Sequence, residues 1–281
     1  MSTSDLTTDS RSNAGTVELI QFLQGNVKDR KVLHRILGSD TWYACVVESR
    51  TADANAIDLE LMITEPNVKL DDDPWFDFAK TWCESGIVAP TSKATLISLH
   101  GVDVYWCTGR AIVRAPKDRV DAVRRAILEF AVAERELVAI EKSVNSSWDT
   151  LEGDVPTAFS YGEGNVRDRA ELGKRFQKAI SLQARMSRIV PLIVQPAQYP
   201  PTLESQLHER MRERLRQEDR LEVLEGQLDI FQRVYEMCGQ RSADFMVART
   251  GHILEWIIIL LLAFQTIMAI IDYIPSSTTG T

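Results

Sequence analysis

Between Trp256 and Ile271 the chain carries only two polar residues, Gln265 and Thr266, and not one charge. Trp256 to Ile274 is 19 residues, or roughly 28 Å of helix at ~1.5 Å per residue, close to a hydrocarbon core of ~30 Å. Trp256 and Tyr273 stand at the two edges, where amphipathic aromatic rings favour the membrane interfaces. His252 and Glu255 mark the polar side of the first edge. A buried core helix of the same composition would not need aromatic flanks or so long an uncharged run. The expectation is one transmembrane helix over 255–274 and a short exported tail over 275–281, with the lipid bilayer as first partner.

The remainder reads as water-facing. The chain has 32 Lys and Arg against 40 Asp and Glu, a net charge of −8. No apolar stretch opens it, so no secretory signal is expected, and residues 1–15 are Ser-, Thr- and Asp-rich like a disordered tail. A mitochondrial transit peptide would be rich in Arg and poor in acids, which this start is not. Arg233, Arg241 and Arg249 precede the span, whereas no Lys or Arg follows Arg249. The positive-inside rule then places the bulk of the chain in the cytoplasm. The expected location is a bacterial inner membrane, with the mitochondrial inner membrane as the alternative. Cys45, Cys83, Cys107 and Cys238 have no close pairing, which suits a reducing compartment.

Residues 16–150 are expected to form a small α+β domain. Val17, Ile20, Leu23 and Val27, then Val32 and Ile36, are spaced like one or two short helices. Thr41–Ser49 and Ala56–Thr64 read as strands, the second with Ile57, Leu59, Leu61 and Ile63 alternating. Asp73-Pro74 caps and opens an aromatic helix that stops near Gly86, and Asp71, Asp72 and Asp73 lack the alternation of a calcium loop. Ala94–Leu99 and Val104–Arg114 flank a Gly-containing turn, as in a hairpin. A long helix follows from Lys117 to about Trp148, with Val123, Ile127, Phe130 and Leu137 on its buried stripe.

Residues 151–202 are expected as a loop, a basic helix and a Pro-rich connector. Gly153, Pro156, Gly162 and Gly164 suggest the loop, and Val166–Ile189 the helix. Pro191, Pro196, Pro200 and Pro201 suggest an extended link. Arg167, Arg169, Lys174, Arg175, Lys178, Arg185 and Arg188 face only Asp168 and Glu171, an excess of five positive charges. Such a face can neutralise the acidic first hundred residues, which hold 15 acids against 9 bases, or hold anionic headgroups or RNA phosphates. No stacking aromatics accompany it, so sequence-specific RNA reading gains no support.

From Leu203 to His252 the chain reads as a helical stalk. Leu221, Leu224, Leu228, Phe231, Tyr235, Cys238, Ser242 and Phe245 follow a 3-4 spacing. Two arrangements satisfy it, packing on the Val166–Ile189 helix of the same chain and an oligomeric seam, and both can hold on different faces. No Pro divides the stalk from the span, so the two can run on as one rod softened at Gly239 and Gly251.

The run Arg220-Leu-Glu-Val-Leu-Glu-Gly-Gln-Leu-Asp-Ile, followed by His252-Ile-Leu-Glu-Trp-Ile-Ile-Ile-Leu, resembles the C-terminal signature of the Required for Meiotic Nuclear Division family. Gly101-Val-Asp-Val-Tyr-Trp, Ala131-Val-Ala-Glu-Arg-Glu-Leu-Val-Ala-Ile-Glu and Ala184-Arg-Met-Ser-Arg-Ile-Val-Pro-Leu extend the similarity back to about residue 94. The family usually has Arg before Leu-Glu-Trp, where this chain has Ile253. The resemblance implies a bacterial-type member: a membrane-anchored, self-associating protein without known catalysis. Mitochondrial members are linked to support of organellar translation, which makes the ribosome or RNA a second class of partner.

Catalytic signatures are missing. His34, His100, His208 and His252 lack metal-ligand spacing, and Gly162-Glu-Gly-Asn has neither a preceding strand nor a Walker Lys. No catalytic residue, metal or cofactor is expected. The function expected is a scaffold that forms a homo-oligomer and recruits a protein partner. An RNA- or ribosome-binding module and an enzyme with an unrecognised site are the alternatives.

Overall fold

The computed structural model describes residues 15–25, 27, 30–37, 41–47, 57–66, 74–85, 94–159, 169–194 and 201–276. The fold is α+β: a seven-stranded mixed sheet with helices. The strands are β1 (Thr16–Gln24), β2 (Val32–Leu37), β3 (Thr41–Val46), β4 (Leu59–Thr64), β5 (Thr95–Leu99), β6 (Val102–Cys107) and β7 (Arg110–Arg114). Helix α1 (Pro74–Glu84) follows β4, and α2 (Val120–Asn145) follows β7. Then come α3 (Trp148–Phe159), α4 (Arg169–Val194), α5 (Leu203–Leu215) and α6 (Gln217–Ser276). The chain divides into two units, one of residues 1–145 with 182–226, the other of 146–181 with 227–281.

In the first unit the sheet order is β2-β3-β1-β4-β7-β6-β5, antiparallel except where β4 and β7 run parallel. The helices expected over Thr16–Leu37 are strands. β1 bonds β3 on one edge and β4 on the other, and Ile20 and Phe22, two residues apart, are buried. A ladder on both sides enforces the two-residue period over the three-residue steps of Val17, Ile20 and Leu23. The expected hairpin over 94–114 is a three-stranded meander. His100 and Gly101 both have positive φ (50° and 78°), as a two-residue type I′ turn requires, and Gly109 (82°) reverses the chain again before β7.

Central β4 is buried at Leu59, Leu61 and Met62, as expected of a strand covered on both faces. Its one acid, Glu60, lies opposite Arg110 of β7 and is paired with it at 2.6 Å. The Arg110 guanidinium stacks 4.2 Å over Trp82 of α1. Likewise Arg114 pairs with its cross-strand partner Asp103 at 2.7 Å and lies 4.5 Å over Trp75. Two arginines thus anchor α1 to the sheet, above a small cluster of Met62, Ala79, Cys83, Cys107 and Ile112.

The main core joins β1–β7 to Val123, Ile127 and Phe130 of α2 and to Leu207 and Met211 of α5. The helix expected to run unbroken from Leu203 therefore divides. Its first part, α5, belongs to the sheet unit, tied by Arg125 to Glu204 (2.8 Å) and by His100 to Gln206 (3.0 Å). Thr202 and Ser205 form its capping box. Arg216 ends it in the left-handed conformation (φ 51°), and α6 begins at the next residue.

His208 lies in this core, edge-on to Phe130 at 6.2 Å, with its Nε2 buried and without a partner among the described residues. Burial pushes its pKa down to about 4, opposed by Glu129 and assisted by Arg212. The folded state therefore holds His208 neutral, whereas the unfolded chain binds a proton near pH 6.5. Its contribution is fully present above pH 6.5 and is lost as pH falls towards 4. His208→Phe keeps the ring and removes the titration. Urea midpoints measured from pH 7 to pH 4 should fall less steeply in that variant, by up to ~1.4 kcal/mol per pH unit. Parallel curves would show that His208 does not couple to folding.

Candidate membrane anchor and its helical bundle

The second unit contains α3, the first half of α4 and α6 from Gln227 onward. The loop expected around Gly153 and Pro156 is helix α3, which continues past Pro156 to Phe159. Gly162 and Gly164 lie outside the described residues. Pro191 falls inside α4, which extends to Val194, rather than ending it.

One carboxylate organises the bundle. Asp154 of α3 accepts from the Arg175 guanidinium of α4 (2.5 and 2.7 Å) and from the Tyr235 hydroxyl of α6 (3.3 Å). The Cys238 thiol lies 3.9 Å from its backbone carbonyl. Burial, then the Asp154 charge, raises the Tyr235 phenol to about 12, and burial raises the Cys238 thiol. Phe231 meets Trp148 edge-on at 5.0 Å. Leu228, Phe231, Tyr235 and Cys238 are thereby buried within a single chain, and Phe245 is half-buried. Leu221 and Leu224, in the first unit, are buried as well. Packing within the chain thus accounts for this stripe, while Val223 and Ile230 of the same helix stay 60% and 50% exposed on other faces.

Asp154 was not a sequence candidate. Trp148, Leu151 and Ala158 repeat at three- and seven-residue steps around it, but Gly153 and Pro156 outweigh that signal in a linear reading.

The basic face is largely engaged. Lys174 pairs with Glu171 (2.7 Å), Arg175 with Asp154, and Arg185 with Glu136 (2.9 Å). Burial raises Glu136, but bonds from Arg185 and Arg135 outweigh it and hold the carboxyl below its usual range. Lys178 donates to Ser147 Oγ (2.9 Å), and Arg169 Nη1 lies 3.0 Å from Met246 Sδ. Arg188 is exposed. Arg167 lies outside the described residues. The carboxylates paired with Lys174, Arg175 and Arg185 are Glu171, Asp154 and Glu136.

Helix α6 continues through Gly239 and Gly251 without a break. It is long and apolar enough to cross a membrane, and none of its apolar stretch is buried in the chain. His252 Nδ1 and Glu255 Oε2 are 3.1 Å apart, three residues along one exposed face, so the Glu255 carboxylate has a partner in its own helix. Trp256 is 70% exposed, and Ile257 to Leu262, Phe264, Ile267, Met268 and Ile270 are all exposed. Thr266 donates to the Leu262 carbonyl at 2.8 Å. Tyr273 falls on the last turns of the helix, but its side chain lies outside the described residues, as do residues 277–281. Among the described residues no group of His, Cys, Asp and Glu could hold a metal ion. Asp71, Asp72 and Asp73 are outside them.

No family model matches the chain, and no curated protein matches it. Among solved structures, that of the full-length CmaX protein is similar over 85% of this chain and 81% of its own, at 11% identity and a TM-score of 0.38. That score is too low for the likeness to bear on fold or function.

Proposed function

We propose that this protein is a single-pass, membrane-anchored scaffold of a bacterial inner membrane, with its α+β unit in the cytoplasm. The observation that carries the reading is the continuous exposed apolar surface of α6 from Ile257 to Ile270. Contiguous apolar patches beyond a few hundred Å² are rare on water-soluble surfaces. A bilayer of ~30 Å covers this one along its length. Arg233, Arg241 and Arg249 on the approach, with no later Lys or Arg, support the orientation. Resemblance to the Required for Meiotic Nuclear Division family over about 220–274 points the same way. Self-association through the helical stalk and recruitment of a protein partner belong to the reading. The engaged basic helix gives the RNA alternative less to stand on.

Full-length protein is expected to float with lipid vesicles and to resist carbonate extraction. The double variant Leu260→Arg, Leu262→Arg places two charges in the span at ~2.5–3.5 kcal/mol each and should leave the membrane fraction. In spheroplasts, added protease should spare an N-terminal tag and remove a C-terminal one. Extraction of the unmodified protein by carbonate, or the reverse cleavage pattern, overturns the anchor or its orientation respectively.

A further inference from the structure

Gln265 stands at the middle of the 19-residue span, nine residues from Trp256 and nine from Ile274. At ~1.5 Å per residue that is roughly 14 Å from either end, farther than a glutamine side chain extends. The two polar residues of the span differ. Thr266 returns its hydroxyl proton to the Leu262 carbonyl one turn back, so its own helix satisfies it. Gln265 is exposed, and its amide has no hydrogen-bond partner among the described residues. In a hydrocarbon core no water is at hand to replace that partner.

We infer that Gln265 is the contact through which two copies of this chain associate inside the membrane. This rests on the membrane-anchor reading and names its oligomer seam. A primary amide is self-complementary: the NH₂ of one copy donates to the carbonyl oxygen of the other, and the reverse bond forms in the same pair. Neighbours on the same face at three- and four-residue steps are Leu261, Leu262, Met268 and Ala269, all uncharged. Of these Ala269 is small enough to let two helix backbones approach. The alternative surface for a second copy, the 3-4 stripe from Leu221 to Cys238, is already filled by the chain itself.

The test uses the full-length chain, labelled with donor or acceptor and reconstituted in phosphatidylcholine vesicles over a range of protein-to-lipid ratios. Energy transfer should rise with protein density and saturate. Gln265→Leu removes the amide at similar volume and should weaken association about three- to thirty-fold, the range of interhelical polar bonds in membranes. Gln265→Asn keeps an amide and should retain part of the association. Flotation of the same samples reads the anchor alone, because Leu at 265 can only strengthen partition. If the unmodified chain floats but Gln265→Leu associates as well as it does, the pair is overturned and the anchor stands. If the unmodified chain shows no transfer above random proximity at any density, the pair is likewise overturned. If it does not float, the membrane reading fails and the pair falls with it.

Discussion

Arg220→Met is expected to remove about 3–5 kcal/mol of folding stability, the cost of leaving one member of a buried ion pair without its partner. Arg220, in the first turn of α6, bonds both oxygens of Glu134 at 2.8 and 3.0 Å and both of Glu141 at 2.8 Å. Glu134 is 4% exposed in the middle of α2, and its other partner is the side-chain amide of buried Gln217 at 2.8 Å. Methionine fills the volume of the Arg stem but leaves the Glu134 carboxylate charged in a site that water reaches poorly. The second substitution Glu134→Gln removes that charge, so the double variant should recover most of the loss. Urea unfolding followed by near-UV circular dichroism measures both. If the double variant is no more stable than Arg220→Met alone, the loss reflects packing rather than an uncompensated charge.

Phe130→Ala is expected to cost a similar ~3–5 kcal/mol, by the lost transfer energy of the ring plus the cavity it leaves. Phe130 is fully buried, with the Trp106 ring perpendicular to it at 4.9 Å and the His208 ring edge-on at 6.2 Å. The site has a second readout. Trp106 Nε1 and His208 Nε2 are both buried without hydrogen-bond partners among the described residues, so water admitted to the vacated space would have unpaired polar atoms on the two rings that pack against Phe130. Water there would relieve the burial that depresses His208. The variant should therefore show weaker acid sensitivity between pH 6.5 and 4 than the unmodified chain, besides a lower urea midpoint. Equal acid sensitivity in the two would mean that the cavity stays dry or collapses.

Both positions sit in elements whose existence the sequence announces clearly. The stripe of Val123, Ile127, Phe130 and Leu137 is long enough to separate a helical period from any other, and α2 follows it. The start of α1 at Pro74 and the strand β4 are equally plain, because a proline at a helix start and a run of apolar residues two apart are local signals. The failures are where local spacing serves two masters. Val32 and Ile36 lie four apart, which suits one helix face and one strand face alike, and only the ladder with β3 decides between them. Gly153 and Pro156 argue against a helix locally, but Asp154 gains two partners on other helices by being in one. The membrane-like run was legible because it needs no long-range partner. The burial of the 3-4 stripe was not, since identical spacing serves a neighbour in the same chain and a neighbour in another.

Leu207 and Met211, far along the chain, complete the core of a sheet whose first strand begins at Thr16. Time then becomes a constraint. The sheet unit takes residues up to Gly226, and the apolar span starts at Trp256, only thirty residues later (256 − 226). At ~5–20 residues per second, synthesis separates the two by roughly two to six seconds. Until that moment the nascent chain presents the uncovered faces of β1–β7 and α2, just as the machinery that receives an apolar helix must be recruited. Folding of the sheet unit and delivery of α6 to a membrane are thus set to compete within one short interval of translation.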